Sequence, residues 1–145
     1  MPSHGSIKPT DKALKTYYQA LAAYSNQQVT HEGALETAFQ RLLADSGKSH
    51  GWMLVPKLTV RRGGAILIPD GTLRDDFNLH RGYWEAMDTA DDLSAEIRKK
   101  TAKGYPLTNT IFEDTRRAVL FQNGGVALDI DLADHQALAE LLNAF

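Results

Sequence analysis

The sequence contains no cysteine, which excludes thiolate nucleophiles, disulfide bonds and cysteine-ligated zinc sites. No apolar run approaches the roughly 18 residues that a transmembrane helix needs, and "MPSHGSIKP" lacks the apolar stretch of a secretory signal. We therefore expect a cytoplasmic protein that does not contact a membrane. The formal net charge is −2, so the chain as a whole is not a basic nucleic-acid binder.

Length and composition indicate one ordinary globular domain. A chain of 145 residues can bury a single sizeable core. We predict a flexible N terminus over residues 1–9 and a single domain over residues 10–145. Basic residues are nevertheless grouped on both sides of the central segment, and each group is either a phosphate-binding patch or solvated surface. These residues are Arg61, Arg62, Arg74 and Arg81 around the segment, Arg98, Lys99, Lys100 and Lys103 just after it, and then Arg116 and Arg117.

The pattern of apolar residues predicts an α/β fold. Two amphipathic helices come first, and the strand-like segments "WMLVPKLTV", "AILIPDG" and "GYWEAMD" follow, with "TLRDDFNLHR" as a polar loop. The segment "LSAEIRKKTAKG" predicts a helix, "NTIFED" and "RAVLFQNG" predict strands, and a hairpin turn leads into "VALDI" before the last helix. The predicted order, α-α-β-β-β-α-β-β-α, indicates a mixed β-sheet flanked by helices.

One predicted strand carries a carboxylate in its middle. Side chains alternate along a strand, so Glu85 and Met87 share one face of "GYWEAMD". Burying Glu85 there would be costly unless a cation or hydrogen-bond donors compensated its charge. Asp75 and Asp76 lie in the loop that leads towards this strand. Carboxylates from neighbouring strands can converge on a hard divalent cation, and Mg²⁺ prefers oxygen ligands.

The acidic spacing carries a resemblance. Asp75, nine residues, and then Glu85-Ala86-Met87 resemble the D-x(n)-(D/E)-x-K pattern of the PD-(D/E)xK nuclease superfamily. The longer stretch "PDGTLRDDFNLHRGYWEAMDTADDL" is similar to the N-terminal nuclease region of single-chain restriction-modification enzymes of the type ISP and type IIG kinds. The resemblance covers roughly residues 10 to 145. It implies a restriction-endonuclease-like fold and a longer polypeptide with methyltransferase and target-recognition regions, and a helicase region in the ISP kind.

The resemblance also implies roles for particular residues. Asp75 and Glu85 would hold Mg²⁺, or Mn²⁺ in its place, with the backbone carbonyl of Ala86 as a third ligand. Asp76 is the alternative to Asp75, and Glu36 is either a further acidic group of the site or an exposed helix carboxylate. The implied partner is double-stranded DNA, and the residues that would contact it are Arg61, Arg62, Arg98, Lys99 and Lys103.

Met87 departs from the pattern. The family places a lysine at this position, whose ammonium group orients the attacking water and stabilises negative charge. Methionine nearly matches the lysine stem in length but has no charge and donates no hydrogen bond. The resemblance therefore implies a DNA endonuclease domain that is inactivated at Met87, either by deliberate replacement or naturally. The alternatives are a non-catalytic DNA-binding or docking module with the same fold, and a purely structural domain.

Overall fold

The computed structural model describes residues 6–26, 32–88 and 92–145. Its helices are α1 (Lys12–Asn26), α2 (Glu32–Lys48), α3 (Leu93–Ala102) and α4 (His135–Ala144). Its strands are β1 (Met53–Pro56), β2 (Val60–Arg62), β3 (Ala65–Leu67), β4 (Gly71–Arg74), β5 (His80–Ala86), β6 (Asn109–Glu113), β7 (Arg117–Gln122) and β8 (Gly125–Asp131). None of the described helices is long and apolar enough to cross a membrane.

Six of these strands form a mixed sheet in the order β1-β4-β5-β6-β7-β8, and β2 and β3 form a separate hairpin. Strands β5 and β6 are parallel, and every other neighbouring pair in the large sheet is antiparallel. Helix α3 makes the crossover that a parallel pair requires. The predicted α/β fold with a mixed sheet flanked by helices is confirmed.

The sheet contains more strands than the predicted order counted. The segment "WMLVPKLTV" is divided into β1 and β2 at Lys57, whose φ of 54° interrupts an extended chain. Residues 72–74, predicted as loop, form strand β4 together with Gly71, and this strand pairs with β1 and β5. Strand β8 follows the predicted hairpin turn, where Asn123 and Gly124 have φ values of 54° and 85°.

Each face of the sheet has its own apolar cluster. Helices α1, α2 and α4 cover one face, where Trp84 and Ile111 are fully buried. Helix α3 and the β2–β3 hairpin cover the other face, where Met87 and Phe112 pack with Ile97. Ile111 and Phe112 lie in different clusters because successive side chains of a strand point to opposite faces. By the same alternation, Glu85 lies on the face that α3 covers.

The N terminus is attached to α4. The backbone N–H of Ile7 donates to Oδ1 of Asn143 at 2.7 Å, and Nδ2 of Asn143 donates to the carbonyl of Ile7 at 2.9 Å. Part of the segment predicted to be flexible, residues 1–9, is therefore held by two hydrogen bonds. Residues 1–5 of that segment lie outside the described residues.

Gly71 marks a close approach between β4 and the core. A Cβ atom there would lie 2.9 Å from Cε3 of Trp84 and 3.3 Å from Cδ1 of Leu54. Because the Trp84 ring is fully buried, we expect Gly71→Ala to destabilise the chain by about 1–3 kcal/mol. Urea denaturation measures the loss. Gly125→Ala is the control, since a Cβ there meets nothing within 4 Å; equal stability of the two variants would contradict this prediction.

Candidate active site

The β4–β5 hairpin places two carboxylates side by side. Gly71 pairs with Trp84, so Asp70, just before β4, comes opposite Glu85. The backbone N–H of Asp70 donates to Oε1 of Glu85 at 3.1 Å, and the N–H of Ala86 donates to Oδ2 of Asp70 at 2.7 Å. Asp70 is 9% exposed and Glu85 is 4% exposed. The backbone N–H of Asp70 therefore holds the Glu85 carboxylate, and the N–H of Ala86, the residue after Glu85, holds the Asp70 carboxylate.

Asp75 lies at the opposite end of the same hairpin. Its Oδ1 accepts hydrogen bonds from the backbone N–H groups of Phe77 and Leu79, at 2.8 and 3.0 Å. Its Oδ2 pairs with Arg81, whose Nη2 is 2.8 Å away. Asp75 therefore organises the turn between β4 and β5. Asp76 follows it in that turn and is exposed.

The predicted pairing of Asp75 with Glu85 needs correction. Arg74 pairs with His80 at the turn end of the hairpin, and Glu85 lies five residues further along β5. At a rise of roughly 3.3 Å per residue, this separates Glu85 from the turn by about 17 Å. The structure thus brings neither Asp75 nor Asp76 to Glu85. The carboxylate beside Glu85 is Asp70, and the Pro69-Asp70 pair is the signal in the sequence that points to it.

Two lysines neutralise the carboxylate pair. The ammonium group of Lys57 contacts Oδ1 of Asp70 and lies 3.8 Å from Oε1 of Glu36. The ammonium group of Lys100, on α3, lies 2.7 Å from Oε2 of Glu85. Glu36, predicted either as a further acidic group of the site or as an exposed helix carboxylate, is thereby connected to Asp70 through the Lys57 ammonium group. The four side chains at the centre of the site balance two negative charges with two positive ones.

The electrostatics of Glu85 reflect its burial. Burial raises the pKa of Glu85, the neighbouring Asp70 carboxylate raises it further, and the ion pair with Lys100 lowers it. The hydroxyl of Tyr105 donates to Oε2 of Glu85 at 3.1 Å. Burial and the Glu85 carboxylate both raise the pKa of Tyr105, so its hydroxyl remains a donor at neutral pH. A positive charge next to Glu85 favours its ionised form.

Met87 fills an apolar space next to this pair. Its side chain is 7% exposed and packs in the cluster that contains Leu67, Ile97 and Tyr105. Its backbone N–H donates to the carbonyl of Glu113 at 2.8 Å, which extends the parallel pairing of β5 and β6 by one residue. The thioether therefore contributes packing at the position where the resemblance implies an ammonium group.

The predicted DNA-contacting residues lie on the elements that cover this face. Arg61 and Arg62 are exposed on β2, and Arg98 and Lys103 are exposed at α3. Lys99 is also exposed, and its Nζ lies 3.0 Å from Oε1 of Glu96 on the same helix. The β2–β3 hairpin and α3 both pack into the apolar cluster that contains Met87. The basic side chains therefore lie on the two elements next to the carboxylate pair.

The donor set suits a hard cation. In residues 6–26, 32–88 and 92–145, the structure has no group of three or more histidine, aspartate or glutamate side chains that could hold a metal. Mg²⁺, however, is commonly held by one or two carboxylates together with waters. Asp70 and Glu85 supply two carboxylates, and Ala86 supplies a backbone carbonyl next to them. All three groups present oxygen atoms, the ligand type that Mg²⁺ prefers.

Comparison with known proteins finds a match among solved structures. No family model matches the chain, and no curated protein matches it. Among solved structures, the cryo-electron microscopy structure of a DrdV–DNA complex contains a region that matches with a TM-score of 0.85 and 42% sequence identity. The chain resembles part of DrdV. The match covers 90% of this chain but only 13% of the DrdV chain.

Proposed function

We propose that this chain is the Mg²⁺-dependent DNA endonuclease domain of a restriction-modification enzyme. The observation that carries the proposal is the buried pair of Asp70 and Glu85 on the β4–β5 hairpin, preceded by Pro69 and followed by Ala86. The 42% identity to a region of a DrdV–DNA complex supports an association with DNA. The substrate is double-stranded DNA, and the reaction is hydrolysis of a phosphodiester bond.

The residues of the site have separate tasks in this reaction. Asp70, Glu85 and the carbonyl of Ala86 would hold Mg²⁺, or Mn²⁺ in its place. The cation, when bound, supplies Lewis-acid chemistry that activates a water for attack on phosphorus and stabilises the charge that develops there. The hydrogen bonds between Asp70 and the Glu85-Ala86 segment hold the two carboxylates in position before the cation arrives. Such preorganisation lowers the cost of assembling the site.

The proposed reaction is an ordinary hydrolysis, in which one bond to phosphorus forms and one breaks. One water oxygen forms a bond to phosphorus, and the bond from phosphorus to the leaving sugar oxygen breaks. That oxygen takes up a proton, so one phosphodiester and one water become a phosphate monoester and an alcohol. Neither an oxidant nor a group donor is needed.

DNA would be held by its phosphates. The exposed Arg61 and Arg62 on β2, and Arg98 and Lys103 at α3, lie on the elements that flank the carboxylate pair. Contacts of this kind position the backbone without reading sequence. Binding by this chain should therefore be weak and should fall steeply with salt. Sequence recognition would come from target-recognition regions of the same polypeptide, together with its methyltransferase region and, in the ISP kind, a helicase.

A second candidate function follows from Met87. A nuclease that depended on an ammonium group at position 87 would be inactive with methionine there, because the thioether neither carries charge nor donates. The chain would then be a DNA-binding or docking module that keeps the nuclease fold. The two functions make opposite predictions for a variant in which the lysine is supplied.

The test uses the full-length protein that carries this chain and unmethylated plasmid DNA containing its recognition sites. We expect the Met87→Lys protein to convert the plasmid to nicked and linear forms with Mg²⁺, and not with EDTA. Adding Glu85→Ala to that variant should abolish cleavage, because a lysine cannot replace a metal ligand. A Met87→Lys protein that binds DNA but leaves it intact with Mg²⁺ and Mn²⁺ would favour the docking module instead.

A further inference from the structure

We propose that Lys100 supplies the ammonium group that the nuclease pattern places at position 87. This inference rests on the proposed function and identifies the cation that works beside the metal ligands. It changes what Met87 implies, because the missing motif lysine is then replaced from another element, and the chain as it stands is an active nuclease. The substrate is the same scissile phosphate, approached from the side of α3.

The position of Lys100 is set by two contacts. Its Nζ lies 2.7 Å from Oε2 of Glu85. Its Nζ also lies over the ring of Tyr105, 5.1 Å from the ring centroid, and the Tyr105 hydroxyl binds the same Glu85 oxygen. The Lys100 side chain is only 24% exposed. An ammonium held by a buried carboxylate and an aromatic face is better ordered than a solvated surface lysine.

The Lys100 side chain extends towards the space that a lysine side chain at position 87 would occupy. Ile97 and Lys100 are three residues apart, so they lie on the same side of α3. Ile97 packs in the apolar cluster with Met87 and Tyr105. Lys100 extends past that cluster to Glu85, two residues from Met87 on the same strand face. Met87 therefore occupies the apolar part of this space, and the ammonium group of Lys100 supplies the positive charge beside Glu85.

Lys57 is the other lysine of the site, and its geometry differs. Its side chain is 62% exposed, and it contacts Asp70 and Glu36 rather than Glu85. It therefore balances the charges of the acidic groups on the α2 side. In the nuclease pattern, the lysine is two residues after the glutamate and acts beside it. Lys100 matches that relation in space, and Lys57 does not.

The chemical task of Lys100 follows from its charge and its donors. An ammonium group has three N–H donors, of which one serves Glu85 here. The others can orient the attacking water and stabilise the negative charge that grows on the phosphate oxygens. Loss of one such donor typically lowers the rate by about 10²–10³-fold. Lys100 would touch the reacting atoms, which makes it a catalytic residue of the proposed reaction.

The experiment compares cleavage rates under single-turnover conditions, with the full-length protein in excess over plasmid and with Mg²⁺. We expect Lys100→Met to cleave about 10²–10³-fold more slowly than the natural sequence. Combining it with Met87→Lys should restore most of the rate, since position 87 then supplies the ammonium. Lys48→Met is the matched control, because Lys48 is exposed at the end of α2 and pairs only with Asp45 among the contacts that the structure gives it.

Calcium binding gives a second measurement that does not depend on cleavage. Lys100→Met removes a positive charge that neutralises Glu85, so we expect calorimetry to find Ca²⁺ binding equal to that of the natural protein or tighter. A variant that had merely lost its structure would lose both Ca²⁺ binding and cleavage. If the variant binds Ca²⁺ tightly but cleaves slowly, the substitution has therefore slowed the chemical step and has not disrupted the fold.

The other outcomes overturn the proposal in distinguishable ways. If Lys100→Met cleaves as fast as the natural protein, or loses Ca²⁺ binding, the role assigned to Lys100 falls while the nuclease function stands. The same holds if Met87→Lys restores nothing in the Lys100→Met background although Met87→Lys alone is active. If the natural protein is inert and Met87→Lys cleaves, Lys100 does not replace the motif lysine. If neither cleaves, the proposed function falls together with this inference.

Discussion

Asp70→Asn is expected to abolish Mg²⁺-dependent cleavage, whereas Asp75→Asn is expected to leave it close to that of the parent protein. Asp70 is buried beside Glu85, and Asp75 lies at the far end of the hairpin. Losing an outer partner of a metal ligand typically costs about 10–100-fold in affinity or activity. Loss of a metal ligand itself should lower metal affinity or activity by more than this. The parent is the protein with Met87 or, if that is inert, its Met87→Lys variant.

Asparagine at position 75 is a well-matched control. Oδ1 of Asp75 accepts hydrogen bonds from the backbone N–H groups of Phe77 and Leu79. The amide oxygen of asparagine can accept the same two bonds, so the turn is retained. Only the exposed ion pair with Arg81 is lost, which typically contributes little stability. Asp70→Asn likewise keeps the shape of the side chain and removes its charge.

Isothermal titration with Ca²⁺ provides the corresponding binding measurement. Asp70→Asn and Glu85→Gln should each lose metal binding, and Asp75→Asn should retain it. Circular dichroism checks that all three variants are folded. Retained binding in Asp70→Asn together with lost binding in Asp75→Asn would move the metal site to the hairpin turn and would contradict the assignment made from the structure.

The placement of Asp70, rather than Asp75, beside Glu85 has a physical origin. The segment "AILIPDG" reads as one apolar strand that stops at a turn, which assigns Asp70 to the turn. In the structure, the apolar part is β3 of the separate hairpin, and β4 begins at Gly71. Strand β4 is polar in sequence, yet Thr72 and Leu73 are buried because it pairs with β1 on one side and β5 on the other. Pairing on both sides is a tertiary property that local periodicity does not reveal.

Other parts of the fold follow directly from local chemistry. Asp92 caps α3 by accepting the N–H groups of Ser94 and Ala95, and the hairpin before β8 uses Asn123 and Gly124 at positive φ. The alternation along β5 correctly separated buried Trp84 from the face that carries Glu85. These features depend on residues close in sequence, which is why the mixed α/β sheet was predictable.

The two lysines of the site were not predictable in the same way. Lys57 follows an edge strand, and Lys100 belongs to a run of basic residues in a helix, a pattern that usually indicates solvated surface. Their contacts with Asp70 and Glu85 arise only when the β4–β5 hairpin, α3 and the end of β1 are packed together. The charge balance of the site is thus a product of tertiary structure.

The largest expected effect on stability concerns Glu113. This residue is buried on the sheet face that α1 and α2 cover, where its carboxylate accepts from Nε1 of Trp84 at 3.2 Å and from the N–H of Thr115 at 2.8 Å. Burial raises the pKa of Glu113 from 4.5 to about 8, and these two hydrogen bonds only partly oppose that change. The folded chain therefore binds a proton at neutral pH that the unfolded chain releases.

The sign of the pH dependence follows from this difference in proton binding. Stability falls with pH wherever the folded state binds more protons than the unfolded state. The contribution of Glu113 is fully present below pH 4.5 and is lost progressively as the pH rises to about 8. A pKa difference of this size corresponds to about 5 kcal/mol over the whole interval. Glu113 by itself should thus lower the stability of the folded chain as the pH rises from mildly acidic to mildly alkaline values.

Glu113→Gln isolates this contribution from those of other titrating groups. Glutamine does not titrate. Its single carbonyl oxygen can accept from Trp84 or from Thr115 but not from both, because the carboxylate accepts them at Oε1 and Oε2 separately. The substitution therefore adds a cost that does not change with pH. Urea denaturation of both proteins between pH 5 and pH 8.5 should give curves that diverge, with the glutamine variant gaining on the natural protein by several kcal/mol, within the roughly 5 kcal/mol expected. Two parallel curves would show that Glu113 titrates normally and is hydrated. The change with pH in the stability difference between the two proteins measures the free-energy cost of ionising the buried Glu113 carboxyl group.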